Sequence, residues 1–433
     1  MSRARPVRYT SPVTQPVLDR RRTWTVVIVA TLTMAVSYVD RTTLGVLATD
    51  VMDALHMTKA QYGWVTSAFS WAYLVATPLS GWWLDRTGAR RGLTRSVLFW
   101  SSIAALHALV PGFAALFCFR ILLGVAEGPG FPGAAQSVRR MLPPAERARG
   151  FGVLFTGSSI GGMLTPPLAG YLNGQFGWRV AFLGTALVGL VWVPAWIWVT
   201  RRADVRAQID QPGADEAAAA NEPALRFVDL IRHPTMIRGM IAVFCASPIV
   251  GFVQSWAANY LTVVYKVPTK DVGHYLWLPP LWFDLGAIAF GDLAARTRHG
   301  TRPPRVLFGT GIVLASTVAA LAYSNDPAVA ALTSPWGAMA VMSVALVGSG
   351  ALWTLVTADL MTRIPPRAIA LAGGTLAASQ ALAYIIANPL IGKALDLGYT
   401  YQDIAGYLVA WLLPGTIAWI VWRPADRLER KAL

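Results

Sequence analysis

The chain has 433 residues, 55% of them hydrophobic and only 14% charged, with 18 tryptophans, 38 glycines, 28 prolines and a formal net charge of +15. So apolar a composition excludes most water-soluble folds. Stretches of about 20 apolar residues, each long enough to cross a hydrocarbon core of about 30 Å, recur from Trp24 to Trp422.

In chain order the predicted spans are 24–48, 60–84, 93–111, 113–141, 149–172 and 178–199, then 233–265, 272–295, 306–323, 328–361, 369–395 and 401–422. Between the two sets of six, Asp210-Gln-Pro-Gly-Ala-Asp-Glu and an alanine run mark a polar linker. The expected organisation is a basic tail (1–22), an N-terminal six-helix bundle (23–200), a cytoplasmic linker (201–232), a C-terminal six-helix bundle (233–423) and a short tail (424–433). Arginines cluster in the N-terminal tail and in alternate connections, for example Arg86, Arg90, Arg91 and Arg95, then Arg139, Arg140, Arg147 and Arg149, and later Arg363 and Arg367. The opposite connections, such as 110–112 and 171–177, are nearly free of them. By the positive-inside rule both termini are cytoplasmic and the number of spans is even. The positive charge therefore reports topology and not a nucleic-acid surface. The first span follows an arginine-rich tail with no small-residue cleavage site, so no cleavable signal peptide is expected. Cys118 and Cys245 lie in apolar segments and read as small hydrophobes, with no metal or redox signal.

A few charged residues interrupt the spans, and each is informative because an ionised residue at the centre of a spanning helix costs roughly 2.5–3.5 kcal/mol. Asp40 and Arg41 sit in the first span, Arg120 and Glu127 in the fourth, and Asp284 alone in the eighth. Arg120 and Glu127 are seven residues apart, two helical turns, so they share a helix face and imply an ion pair or a proton-responsive pair. Gly157, Gly161, Gly162, Pro166, Pro167 and Gly170 look like an antiporter signature, but small residues at this spacing let helices pack closely, and the series is assigned to packing.

The loop Gly81-Trp-Trp-Leu-Asp85-Arg86-Thr-Gly88-Ala-Arg90-Arg91-Gly92 resembles the signature of the major facilitator superfamily, in which an acidic residue and the following arginines tie neighbouring helix ends together. A degraded echo, from Gly286 through Gly291-Asp292 to Arg296, stands at the equivalent place in the second half. Taken with Tyr38-Val-Asp40-Arg41, the segment from Gln61 to Tyr73, Arg120 through Pro132, and Gly177-Trp178-Arg179, the N-terminal half resembles the anion:cation symporter family, which includes sugar-acid transporters. That resemblance implies an all-α, twelve-helix major facilitator fold with the site between two halves. It also implies that Arg41 binds a substrate carboxylate, that Asp40 and Glu127 are the protonatable pair, and that Arg120 influences Glu127. An arginine suits the carboxylate because its planar fork binds bidentately and stays charged. Gly81, Asp85, Arg86, Gly88 and Arg90 form the gating motif. Tyr73 matches the family's substrate-contacting tyrosine, and Ser158 stands where galactonate-type members carry glutamine. Gln254, Asn259, Ser379 and Gln380 are further polar candidates, Trp353 can stack on a substrate, and Asp284 is a proton or substrate candidate. Two departures stand out: Ser137-Val-Arg139-Arg140 replaces the usual tryptophan region, and the region of Ala377 lacks a span-eleven asparagine that serves sugar-acid members.

The sequence thus reads as a monomeric, multi-pass inner-membrane transporter that takes up a small organic anion, with a sugar acid the leading class and protons the coupling ion; no cofactor, metal or nucleic acid is expected. An exporter or exchanger, an importer of aromatic or dicarboxylic acids, and a non-transporting anion sensor are the alternatives. An enzyme is not expected, because no nucleophile, base and oxyanion set appears.

Overall fold

Backbone in hydrocarbon must satisfy its own hydrogen bonds, and apolar segments of this length do so as helices. A computed structural model describes residues 19–211, 227–297, 305–324, 330–364 and 369–422; these are helical, with no strand among them. The basic tail through residue 18, most of the predicted linker (212–226), the tail from 423 and the Asp85 side chain lie outside the described residues. The long helices are α1 (Arg20–Val46), α2 (Lys59–Thr87), α3 (Ala89–Leu106), α4 (Phe113–Met141), α5 (Pro144–Phe176), α6 (Trp178–Val199), α7 (Pro234–Ser255), α8 (Leu278–Arg296), α9 (Arg305–Tyr323), α10 (Pro335–Arg363), α11 (Ile369–Asp396) and α12 (Tyr401–Val421). Eight of them are both long and apolar enough to cross a membrane.

Their ends follow from local chemistry. Thr58 and Gln61 form a capping box that starts α2, and Gly88 and Gly177, at φ +74° and +84°, make the sharp breaks into α3 and α6 that a side chain would strain. Within α4 the helix is interrupted after Glu127, where Gly128 and Pro129 separate Phe113–Glu127 from Gly130–Met141. Gly157 and Gly161 hold α5 against the backbone of α1 at Thr31 and Ala35, which is the packing role read from the sequence.

Part of the predicted linker folds. A short helix, Ala203–Asp210, buries Val205 and Ile209, one turn apart, against the first half. Arg140 Nη1 donates to the Ile209 carbonyl (2.9 Å) and Arg90 Nε meets Asp210 Oδ2 (3.3 Å). The sequence missed this helix because two apolar residues in eight give little periodicity.

Helices α1–α6 and α7–α12 meet at the end of the bundle remote from the arginine-rich connections. A Cβ on Gly63 of α2 would collide with the Asn388 carbonyl of α11, and one on Gly392 of α11 with the Lys59 carbonyl of α2. Gly81 and Gly374 lie five turns further along on the same helix faces, and a Cβ on either meets nothing within 4 Å. The seam of α5 repeats the pattern: Gly170 is 3.2 Å from the Lys270 carbonyl by its Cβ position, whereas Gly152, again five turns along, faces open space. The halves therefore touch at one end and diverge toward the other, leaving a cleft open on the arginine-bearing side.

Hydrogen bonds close the seam. Asp396, at the end of α11, accepts from the backbone N–H groups of Lys59 (3.1 Å) and Ala60 (2.8 Å) and so caps α2 from the other half. Asp50 accepts from Asn173 and from Thr269 Oγ1 (2.9 Å), and Tyr62 donates to the Ser255 carbonyl (2.6 Å).

Because the seam is backbone against backbone at Gly63, Gly63→Leu should hold it ajar. Ser67, buried one turn along, donates to the Ile385 carbonyl at 3.1 Å. In protein lacking Cys118 and Cys245, a Ser67→Cys probe should react slowly with a water-soluble thiol reagent, and at least several-fold faster once Gly63→Leu is added. Unchanged labelling of a variant with full helical circular dichroism would count against this packing.

Candidate functional site

The cleft ends at its apex on α1. Ser37 and Arg41, four residues apart, share one face of that helix, and both reach Glu127 of α4: Arg41 Nε lies 2.7 Å and Ser37 Oγ 2.6 Å from Glu127 Oε2. The Glu127 side chain has no exposed surface, while that of Arg41 is 19% exposed. Aromatic rings floor the guanidinium, with Cζ 4.2 Å from the Tyr73 centroid, 4.8 Å from Phe69 and 5.3 Å from Tyr38, distances at which a ring face attracts a cation. Arg41 spends its Nε edge on Glu127, and neither Nη group has a carboxylate partner among the described residues.

Glu127 thus pairs with Arg41 and not with Arg120. The shared helix face inferred from the sequence is real, but seven residues rise about 10.5 Å along a helix, too far for direct contact, and α1 supplies the cation in between. Arg120 Nη2 instead points to the Arg41 carbonyl (3.4 Å), and its Cζ lies 5.3 Å from the Phe69 centroid. Asp40, a residue earlier than Arg41, turns away from the cleft to be buried beside Trp100 of α3; neither of its oxygens accepts a hydrogen bond from a described residue.

The second half supplies the opposite wall. Asp284 of α8 is half-buried beside Ser159 of α5. Trp353, Gln380, Ser247 and Phe283 line a small cleft within this half, and Gln380 neighbours Tyr384, whose ring is in contact with Gly251. The other predicted candidates have these surroundings. Asn259 is held in the closed seam, donating to Thr49 Oγ1 (2.8 Å) and accepting from the Tyr401 hydroxyl. Ser158 and Ser379 donate to carbonyls of their own helices, at 2.7 and 3.1 Å, and Gln254 is exposed, with its carbonyl packed on Gly45. In the gating loop Arg86 lies over Trp82 (3.6 Å), and Arg90 takes its acid from Asp210. Among the described residues no group of three or more His, Cys, Asp or Glu side chains could hold a metal.

The chain matches the Major Facilitator Superfamily over residues 30–388. It belongs to that family. It is 26% identical to the D-galactonate transporter of Escherichia coli O6:H1, covering 95% of this chain and 97% of that one. It is 25% identical to the hexuronate transporter of Escherichia coli K12 (90% and 93% covered) and 26% identical to a probable galactarate/D-glucarate transporter of Bacillus subtilis (93% and 94%). Among solved structures, its fold is similar to a bacterial homolog of the human lysosomal transporter Spinster in an inward-facing, unoccupied conformation, with TM-score 0.74, 16% identity and 94% and 100% of the two chains covered. A peptide transporter in complex with sulfate gives TM-score 0.71 at 17% identity, with 93% and 95% covered. The protein is a multi-pass inner-membrane transporter and not an enzyme.

Several polar residues of this facilitator escaped sequence reading. Ser37 is signalled only by its four-residue spacing from Arg41. Tyr384 and Ser159 reach the cleft through tertiary packing that no local pattern reports. In the second half Asp359 is gripped by Arg238 (Nη1–Oδ2, 2.8 Å) and Arg363 (Nη2–Oδ1, 2.9 Å), all three buried. Arg363 had been counted among loop arginines; its acid lies one turn earlier on α10, so the pair belongs to the helix end.

Removing one partner of a buried ion pair leaves an uncompensated charge. Arg41→Ala should therefore destabilise the protein by about 3 kcal/mol, read as a lowered melting temperature in detergent. Glu127→Gln should cost less, since the amide still accepts from Ser37, and the double variant should regain most of the Arg41→Ala loss. Strictly additive effects would mean that the two groups do not interact.

Proposed function

We propose that this facilitator is a proton-coupled symporter that imports a small organic anion, with a sugar acid as cargo. The observation that carries the reading is the partly exposed Arg41 guanidinium at the cleft apex, held at its Nε edge by a buried carboxylate. A planar fork in that position suits a carboxylate, and the aromatic floor of Tyr73, Phe69 and Tyr38 offers apolar faces to a carbon chain. The names of the relatives, all sugar-acid transporters, support the cargo class. The arginine-rich connections favour a cleft that opens to the cytoplasm.

Coupling follows from competition for Arg41. While Glu127 is ionised it neutralises the guanidinium. A proton delivered to Glu127 removes that partner, and the arginine then binds the substrate anion more strongly; by linkage the bound anion favours the proton to the same extent. Asp40 and Arg120, buried close behind, take part in the same charge balance, which must stay near neutral for the loaded site to reorient in hydrocarbon.

Glu127→Gln should abolish uptake driven by an inward proton gradient while counterflow of labelled substrate persists. Wild-type gradient-driven rates in this variant would refute the coupling role. Arg41→Lys keeps the charge but loses the fork, and charge-assisted bonds contribute about 1.5–3 kcal/mol each, so affinity should fall roughly ten- to a hundredfold. Calorimetry on the acid and its amide checks this: wild-type protein that binds both equally is not reading an anion.

A further inference from the structure

We propose that Asp284 reads the end of the substrate remote from Arg41, so that the cargo is a monocarboxylate whose far end donates hydrogen bonds, and dicarboxylates are rejected. The proposal rests on the carboxylate site at Arg41 described under Proposed function.

Helix α8 runs antiparallel to α5 across the seam. Gly273 packs on the Pro166 carbonyl, Pro280 lies 3.5 Å from a Cβ placed on Gly162, and Asp284 stands beside Ser159. One turn further toward the open end, Ile288 and Phe155 are 64% and 59% exposed. Asp284 is therefore the last residue of the closed seam on this side, at the apex of the cleft. On the first half Arg41 lies about one turn beyond Tyr38 on α1, and the Tyr38 phenol is within electrostatic range of both Arg41 and Asp284. A guanidinium of the first half and a carboxylate of the second thus border the same cleft. Asp284 has no ion-pair partner among the described residues.

A ligand that bridges the halves must satisfy both walls. The Arg41 end takes a carboxylate. The Asp284 end accepts hydrogen bonds from hydroxyl or ammonium groups and repels a second carboxylate; at an effective dielectric of about 20, like charges still cost roughly tenfold in affinity when they are as far as about 10 Å apart. Charge balance agrees. With Asp40, Glu127 and Asp284 ionised against Arg41 and Arg120, the site is one unit negative. Two protons on Asp40 and Glu127 and one monoanion bring it to zero, whereas a dianion leaves it negative and costly to move through hydrocarbon.

Galactonate and galactarate have the same carbon chain and differ at C6, a hydroxymethyl against a carboxylate; gluconate and glucarate form a second such pair. Isothermal titration of wild type, Asp284→Asn and Arg41→Lys against both pairs tests the proposal. Wild type should prefer the aldonate by tenfold or more, and Asp284→Asn should bring the ratio within about threefold by gaining aldarate binding. If wild type binds both members of a pair equally, or Asp284→Asn weakens both alike and leaves the ratio unchanged, Asp284 is not a selector, and a loss of both in Arg41→Lys would then leave the carboxylate site standing. Binding of no sugar acid to wild type would overturn the cargo reading and this proposal with it.

Discussion

A carboxylate cannot remain ionised in hydrocarbon without a cation at contact distance, and Glu127, with no exposed surface, obtains one only from α1. That single requirement explains much of the first half. Helix α1 must come within side-chain reach of α4, while α5 and α2 must approach closely enough to seal the pair from lipid. Gly157 and Gly161 give α5 its close approach to α1, and Gly124 and Gly128 give α4 its close approach to α2 at Phe69 and Ala76. The interruption of α4 at Gly128 and Pro129 falls immediately after the glutamate, where a straight helix would run on.

The contact between halves has a different character. It is made of glycine on backbone, hydrogen bonds between neutral groups and two carboxylates, Asp396, which caps a helix of the opposite half, and Asp50, which accepts from Thr269. Backbone-on-backbone contacts deform little and separate as a unit, and a helix N-terminus favours a carboxylate by about 0.3–1 kcal/mol at an exposed site. Such a seam is firm while closed but, among the described residues, holds no buried ion pair whose rupture would oppose opening. Rocking of one six-helix half against the other about the apex, as expected of an alternating-access carrier, needs an interface of this kind.

Most of the fold was legible because the bilayer imposes a simple rule: long apolar runs become helices, and the arginines mark one side. The spans read from the sequence mostly correspond to helices, with ends shifted by a few residues where charged or small residues continue a helix, as Ala89-Arg90-Arg91 does for α3 and Pro144 through Arg147 for α5. The span 233–265, however, breaks at Trp256 into Pro234–Ser255 and Ala257–Tyr265, and the span from 328 becomes a long helix only at Pro335. Less of the site could be read. Arg41, Tyr73 and Glu127, singled out by the in-span charges and the family resemblance, lie together, with the Arg41 guanidinium on Glu127 and over the Tyr73 ring. The partner of Glu127 was misassigned because periodicity reports a face and not an axial distance. Asn259 is polar within an apolar span, yet its amide bridges Thr49 and Tyr401 in the seam. Ser159 and Tyr384 carry no sequence signal, since their importance comes from which helix lies opposite.

The two buried charge groups among the described residues differ in how completely they are satisfied. In the second half Asp359 meets two guanidiniums, and Arg238 also donates from Nε and Nη2 to the Trp419 carbonyl at 2.9 and 2.6 Å, tying α7, α10 and α12 together away from the cleft. In the first half Glu127 Oε1, both oxygens of Asp40, and Nε and Nη1 of Arg120 are buried without a hydrogen-bond partner among the described residues. An unsatisfied buried polar group costs about 1–3 kcal/mol, and a fold that completes one network while leaving the other open does not do so for stability. The open network is the one that touches the cleft through Arg41. Under the proposed function, its missing partners are what a proton and an anion would supply.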